Sequence, residues 1–203
     1  MLRTSIDHTV AATWGTAEAT VFFIVPDVWT SWLALHNPRR GLATTVSALA
    51  GALAGGATTY KTAQRMPPEA TEEILTSIPG ISAGMVAKVE RQLDEQGWSA
   101  LVLGPTRGVP YKIYARTLAH GNESFGRFMA LSVPARMVRF LAVTGGVAGL
   151  GKLADRLGVG SKGKTATFLA GWAGFYTWYF TRGPGRNSES AGEVSPDELS
   201  DLG

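Results

Sequence analysis

Cysteine is absent from the 203 residues. That excludes a disulfide framework, a thiolate metal site and a thiol nucleophile. Histidine is sparse too: His8, His36 and His120 lie far apart and share no ligand spacing, so no metal centre is expected. No Gly-x-Ser-x-Gly elbow, paired-histidine motif or Ser/His/Asp set occurs, so hydrolytic and metal-dependent catalysis have no carrier. We expect no catalytic residue and no cofactor. Charge is also scarce, with Asp, Glu, Lys and Arg at 17% of the chain where an average soluble protein has roughly a quarter. A net charge of +3 suits an anionic partner, lipid surface or nucleic acid alike.

The charge that is present falls in blocks separated by long apolar stretches. The first stretch, 11–36, holds Trp14, Trp29 and Trp32 and is interrupted by Pro26. Indoles suit a membrane interface, and proline removes a helical hydrogen bond, so the segment is expected to break and turn back as a re-entrant hairpin. Glu18 within the run, and the lack of a small-residue cleavage site after Ile24, argue against a cleavable signal sequence; Asp27 is the segment's other acid. Gly41 to Tyr60 carries no charge and is long enough to cross a bilayer core, with Arg39, Arg40, Lys61 and Arg65 flanking it. These flanks nearly balance and leave the orientation open. Gly51 and Gly55 form a small-xxx-small face for close helix approach.

From 66 to 97 the composition turns polar. Pro67-Pro68 followed by Glu69, Glu72 and Glu73 reads as a helix start, and Met85, Val86, Val89 and Leu93 recur at helical spacing. An extramembrane helical hairpin is expected. Its turn, Ile78-Pro79-Gly80, is similar to a helix-hairpin-helix element that contacts DNA phosphates, but one copy without its second glycine does not support nucleic-acid binding.

A second broken segment follows at 100–118, centred on Gly104-Pro105-Thr106-Arg107-Gly108-Val109-Pro110-Tyr111-Lys112. An apolar run over 127–150 contains Pro134 and sets Arg136 and Arg139 on one helical face. The aromatic run 165–181 is expected to span the membrane, and the polar tail 182–203 to be disordered. Gly158 to Thr165 matches the Walker A letters, yet what precedes it has helical rather than strand spacing, so a P-loop NTPase is not expected.

The two halves repeat one order, a broken segment and then a glycine-rich span. Such repetition points to an inverted repeat with its site where the broken segments meet. The charge is complementary: Glu18 and Asp27 come from the first half, and Arg107, Lys112, Arg136 and Arg139 from the second. An isolated charge at mid-bilayer costs roughly 3 kcal/mol, so pairing is expected, with surplus cations left for a phosphate.

Arg107-Gly-Val-Pro110-Tyr111-Lys112, with Ala135-Arg136-Met137-Val138-Arg139-Phe140 downstream, resembles the YqaA-like branch of the DedA (VTT, SNARE-associated) membrane family. The segment Glu18 to Asp27 fits the family's first signature more loosely, and the resemblance covers about 11–157. The chain departs from the family in having Asp27 after a single Pro26, and Lys112 where arginine is common. The resemblance implies paired re-entrant hairpins among spanning helices and a role in moving lipids, including phosphate-bearing carriers, across the membrane.

The expectation is therefore an all-α integral membrane protein, one membrane domain over 1–181, multi-pass in a bacterial inner (plasma) membrane. Its partner would be an anionic phospholipid or lipid phosphate, met by Arg107, Pro110, Lys112, Arg136, Arg139, Glu18 and Asp27, with proton coupling through the acids. The alternative is a non-transporting membrane protein whose charges only fix helix packing.

Overall fold

A computed structural model describes residues 2–104 and 108–183. Among these the fold is all-helical: α1 (Leu2–Glu18), α2 (Asp27–His36), α3 (Pro38–Ala63), α4 (Pro68–Thr76), α5 (Ala83–Gln96), α6 (Trp98–Leu103), α7 (Tyr111–His120), α8 (Phe125–Arg156) and α9 (Ser161–Thr181). The expected tail lies outside the described residues from 184 onward. Several elements outrun their expected bounds. The first segment begins at Leu2 rather than 11, and its break lies over 19–26, so Pro26 precedes α2 instead of interrupting a helix. The span expected at 127–150 continues unbroken through Pro134 to Arg156.

Local chemistry accounts for the ends. Asn37 caps α3 by accepting the Arg40 N–H, with Pro38 at the first helical position. Ser82 and Ser124 cap α5 and α8 in the same way. Gly97, at φ 57, closes α5 in a left-handed conformation that favours glycine.

α1 and α3 run parallel and close. Residues pair in rising order, with the His8 ring at 2.7 Å from Ser47 Oγ, Thr16 Oγ1 donating to the Gly51 carbonyl at 3.0 Å and Thr59 Oγ1 donating to the Ala19 carbonyl at 2.7 Å. α8 lies antiparallel to α3, since Tyr60 near the end of α3 stacks on Phe128 near the start of α8 while Phe140 packs with Ala48 and Ala52. α2 follows α8 in parallel, through Asp27–Arg139, Thr30–Thr144 and the close approach of Gly151 to the Leu35 carbonyl. Hence α1 begins and α2 ends at the same end of the bundle, where Asp7 also pairs with Arg40.

The α6–α7 pair belongs to the opposite end. There the Trp98 ring lies 4.8 Å from the Arg127 guanidinium, and His120 meets Thr71 of α4. The break at 19–26 and the start of α7 thus approach each other from opposite ends. The α4–α5 hairpin covers the α6–α7 end and joins its apolar cluster through Leu75, Met85, Val86 and Val89.

α3 and α8 are long and apolar enough to cross a membrane. At 1.5 Å per residue they reach roughly 39 and 48 Å, against about 30 Å of hydrocarbon core. α9 forms where a third span was expected but starts earlier, at Ser161. Its many Trp and Tyr side chains give it an interfacial rather than purely apolar character.

Small residues set the α1–α3 spacing, because a Cβ on Gly51 would collide with the backbone of Ala12, whereas one on Gly145 meets nothing within 4 Å. Gly51→Val is therefore expected to lower the thermal midpoint in detergent, by an overpacking cost of about 1–3 kcal/mol. Gly145→Ala should hold or raise it, by up to about 1 kcal/mol.

Candidate functional site

The first break and the start of α7 meet at mid-height of α8, and four of the sequence-predicted residues converge there as ion pairs. Glu18, the last residue of α1, accepts from the Arg136 guanidinium at both carboxylate oxygens, closely from Nη2 at Oε2 and at 3.5 Å from Nη1 at Oε1. Asp27, the first residue of α2, accepts from Arg139 Nη2 at 2.8 Å. Each acid sits where a helix stops or starts, and each cation one turn from the other on the same face of α8. Asp27 also stands at the N-terminus of α2, where a negative charge is favoured.

Burial makes these contacts consequential. Arg136 and Asp27 are both 0% exposed, and Glu18 is 3% exposed. The Arg136 guanidinium also lies over two aromatic rings, 5.1 Å from the centroid of Tyr111 and 4.9 Å from that of Phe140. Tyr111 is itself fixed by donating to Ser132 Oγ at 2.7 Å, and Ser132 in turn donates to the Phe128 carbonyl at 2.7 Å. Asp27 Oδ1 and Arg136 Nε have no protein partner among the described residues. Leaving such a buried atom unpaired costs roughly 1–3 kcal/mol unless water or ligand supplies the bond.

Lys112 differs from the arginines. It is buried in the first turn of α7, and its Nζ donates to the Phe22 carbonyl at 2.6 Å, one of the backbone acceptors freed by the break after α1. Pro110 precedes α7 and sets the entry of Lys112 into the site. Arg107 lies outside the described residues. Beside Glu18, Lys112 and Arg139 is a cavity of about 60 Å³, whose remaining wall is mostly apolar, from Phe22, Phe23, Val109, Ile81, Tyr176 and Tyr179. That volume holds a few water molecules or a small anion.

Several participants escaped the sequence reading. Thr30 and Thr144 join α2 to α8 by a buried hydroxyl pair at 2.8 Å, and Tyr176 of α9 accepts the Val25 N–H at 3.0 Å. Neither carries a signal in an apolar or aromatic run. Arg116 did, being a cation in the apolar sequence Ile113 to Leu118. It is 3% exposed and reaches Glu90 at 2.7 Å, the Pro68 carbonyl at 2.9 Å, Thr71 at 3.2 Å and Glu72 at 3.4 Å, which ties the α4–α5 hairpin to α7.

The two rejected motifs have structural accounts. The Walker-like letters run from the turn after α8 into the first residues of α9, with a helix rather than a strand before them, and Lys164 donates to Asp155 at 2.8 Å. The Pro79-Gly80 turn is covered by α9, whose Tyr179 hydroxyl donates to the Gly80 carbonyl at 3.2 Å. No family model matches the chain, and neither a curated protein nor a solved structure matches it.

Removing one member of a buried ion pair leaves the other uncompensated, at about 3–5 kcal/mol. Glu18→Gln and Arg136→Met are each expected to lower the thermal midpoint strongly, and the double variant should recover much of the loss. A double-mutant cycle reads the coupling, and strict additivity would show that the pair is not energetically joined.

Burial first, then the nearby Arg116 charge, holds the His120 imidazole below its ordinary range. A depressed histidine favours the neutral form in the folded state, so its contribution is complete above the unfolded value near 6.5 and fades as pH falls through the folded value. Protection of the α4 amides, corrected for the intrinsic pH dependence of exchange, is expected to fall on acidification below about pH 6.5, and His120→Gln should flatten that response.

Proposed function

We propose that the chain is a multi-pass membrane protein of the DedA type, in its YqaA-like branch, that moves a phosphate-bearing lipid across a bacterial inner membrane. The observation that carries this reading is an unequal charge count at a buried cavity. Lys112, Arg136 and Arg139 face only Glu18 and Asp27 among the described residues. Arg136 is committed to Glu18 and to two aromatic faces and does not line the cavity. Lys112 and Arg139 do line it, and Lys112 is bonded to a neutral carbonyl. They are the groups for a head-group phosphate, with Arg107 and Pro110 assigned to the same site by the resemblance. Glu18 and Asp27 balance the charge and are the groups through which transport would couple to protons.

Membrane embedding is supported by apolar surface that no part of the described chain covers. On α8, Val138, Leu141, Leu150 and Leu153 are exposed, as are Leu169, Phe175 and Trp178 on α9. Such a surface suits lipid. In this reading α1–α2 and α6–α7 are re-entrant hairpins entering from opposite faces. Broken backbone at membrane depth is tolerated where protein surrounds it, which agrees with the side-chain bonds to Phe22, Ile24 and Val25.

The test is lipid translocation in reconstituted vesicles containing a labelled anionic phospholipid. Wild-type protein should move it faster than empty vesicles do. Lys112→Gln should remain folded and lose roughly 10-fold or more, the worth of one charge-assisted hydrogen bond, while Lys112→Arg keeps most of the rate. Correctly inserted wild-type protein that is no faster than empty vesicles would refute transport and leave the charges a packing role.

A further inference from the structure

The cavity beside Lys112 has two unlike ends. Its inner wall carries Glu18, Lys112 and Arg139, and its outer wall is made by the Pro79-Gly80-Ile81 turn and by Phe175, Tyr176 and Tyr179 of α9. These outer elements come from parts of the chain that the Glu18–Arg136 and Asp27–Arg139 pairs do not hold. Their mutual contact is slight: the Tyr179 hydroxyl donates to the Gly80 carbonyl at 3.2 Å, and the Tyr179 and Phe180 rings lie on the turn. A Cβ on Gly80 would stand 2.9 Å from the Phe180 ring and 3.0 Å from the Tyr179 ring, so the absence of a side chain lets the rings close over it.

The two sides of this contact differ in firmness. The hairpin carrying the turn is anchored at its base by buried Arg116, which bonds Glu72, Glu90, Thr71 and the Pro68 carbonyl. α9 is lightly packed. Of its described residues only Phe168 is buried, while Phe175 is 42% and Trp178 51% exposed. An element with few buried contacts opens at low free energy, so α9 is the side that moves.

We infer that the aromatic end of α9 and the Pro79-Gly80 turn form a portal onto the cavity, held shut by Tyr179, and that the portal admits groups of negative charge. Displacing Tyr179 and Phe180 exposes the outer apolar wall first and the cations behind it, so an entering amphiphile leads with an anionic head and trails hydrocarbon along the rings. Arg139 is paired with Asp27, and Lys112 supplies the positive potential that selects the sign. The naming of the cargo as a lipid rests on the proposed function; the portal and its charge preference do not.

Because the chain has no cysteine, a single introduced thiol reports access without background. Val109, 4% exposed, lines the cavity, and Leu101, 0% exposed, lies in the apolar cluster away from its lining. Val109→Cys and Leu101→Cys are labelled in the full-length protein in nanodiscs, with a sulfonatoethyl or a trimethylammonioethyl methanethiosulfonate. Rates are normalised to those on free cysteine. Adding Tyr179→Phe should speed labelling at position 109 about fivefold, the effect of losing one net hydrogen bond, and leave position 101 unchanged. The anionic reagent should outpace the cationic one at 109 by roughly tenfold. An unchanged rate at 109, an equal rise at both positions, or no preference for the anionic reagent would overturn the portal. If the labelling behaves as expected while vesicles show no lipid movement, the portal stands and the transport reading falls.

Discussion

The ion pair between Glu18 and Arg136 is the contact on which the rest of the molecule depends. Two charges removed from water are costly unless each is met closely and its remaining valences are filled. Glu18 meets the guanidinium through both oxygens, and the guanidinium lies over the rings of Tyr111 and Phe140. That requirement brings the end of α1, the middle of α8 and the start of α7 to one point. The second pair, Asp27 with Arg139, then sets where α2 begins along α8, with Thr30–Thr144 and the Gly151–Leu35 contact continuing the same register.

Broken helices serve this arrangement instead of weakening it. Ending α1 at Glu18 and starting α2 at Asp27 puts each acid at a helix terminus, and the intervening backbone becomes a set of donors and acceptors. Lys112 donates to the Phe22 carbonyl, Trp14 to the Ile24 carbonyl, and the Val25 N–H donates to Tyr176. Each bond ties the gap to a different element, α7, α1 and α9, so the irregular backbone finds partners in its surroundings. Close packing of α1 on α3 at Gly15, Gly51 and Gly55 brings Glu18 within reach of α8 at all.

The opposite end of the bundle is organised around another buried cation, Arg116, with acceptors drawn from the α4–α5 hairpin. Here charge does a different task. Glu72 and Glu90 are half exposed and water competes for them, so Arg116 anchors the hairpin by the number of its bonds more than by the strength of any one. The hairpin and α9 then meet over the cavity, at the boundary between the firmly packed and lightly packed parts of the molecule.

The amino-acid sequence by itself determined the local events. Gly104, Gly108 and Pro110 foretell the second break, Pro26 the neighbourhood of the first, and Gly51 with Gly55 a close helix face. The scarcity of charge makes Glu18, Asp27, Lys112, Arg136 and Arg139 conspicuous and complementary. These follow from dihedral limits, side-chain volume and the cost of burying charge, which act over a few residues. Only the tertiary structure decided that Glu18 takes Arg136 and Asp27 takes Arg139, pairs 118 and 112 residues apart. It also decided that Lys112 turns to a carbonyl and that α9 closes over Gly80. Partner choice depends on where helices cross and which atoms a break leaves unbonded, and neither periodicity nor composition carries that information.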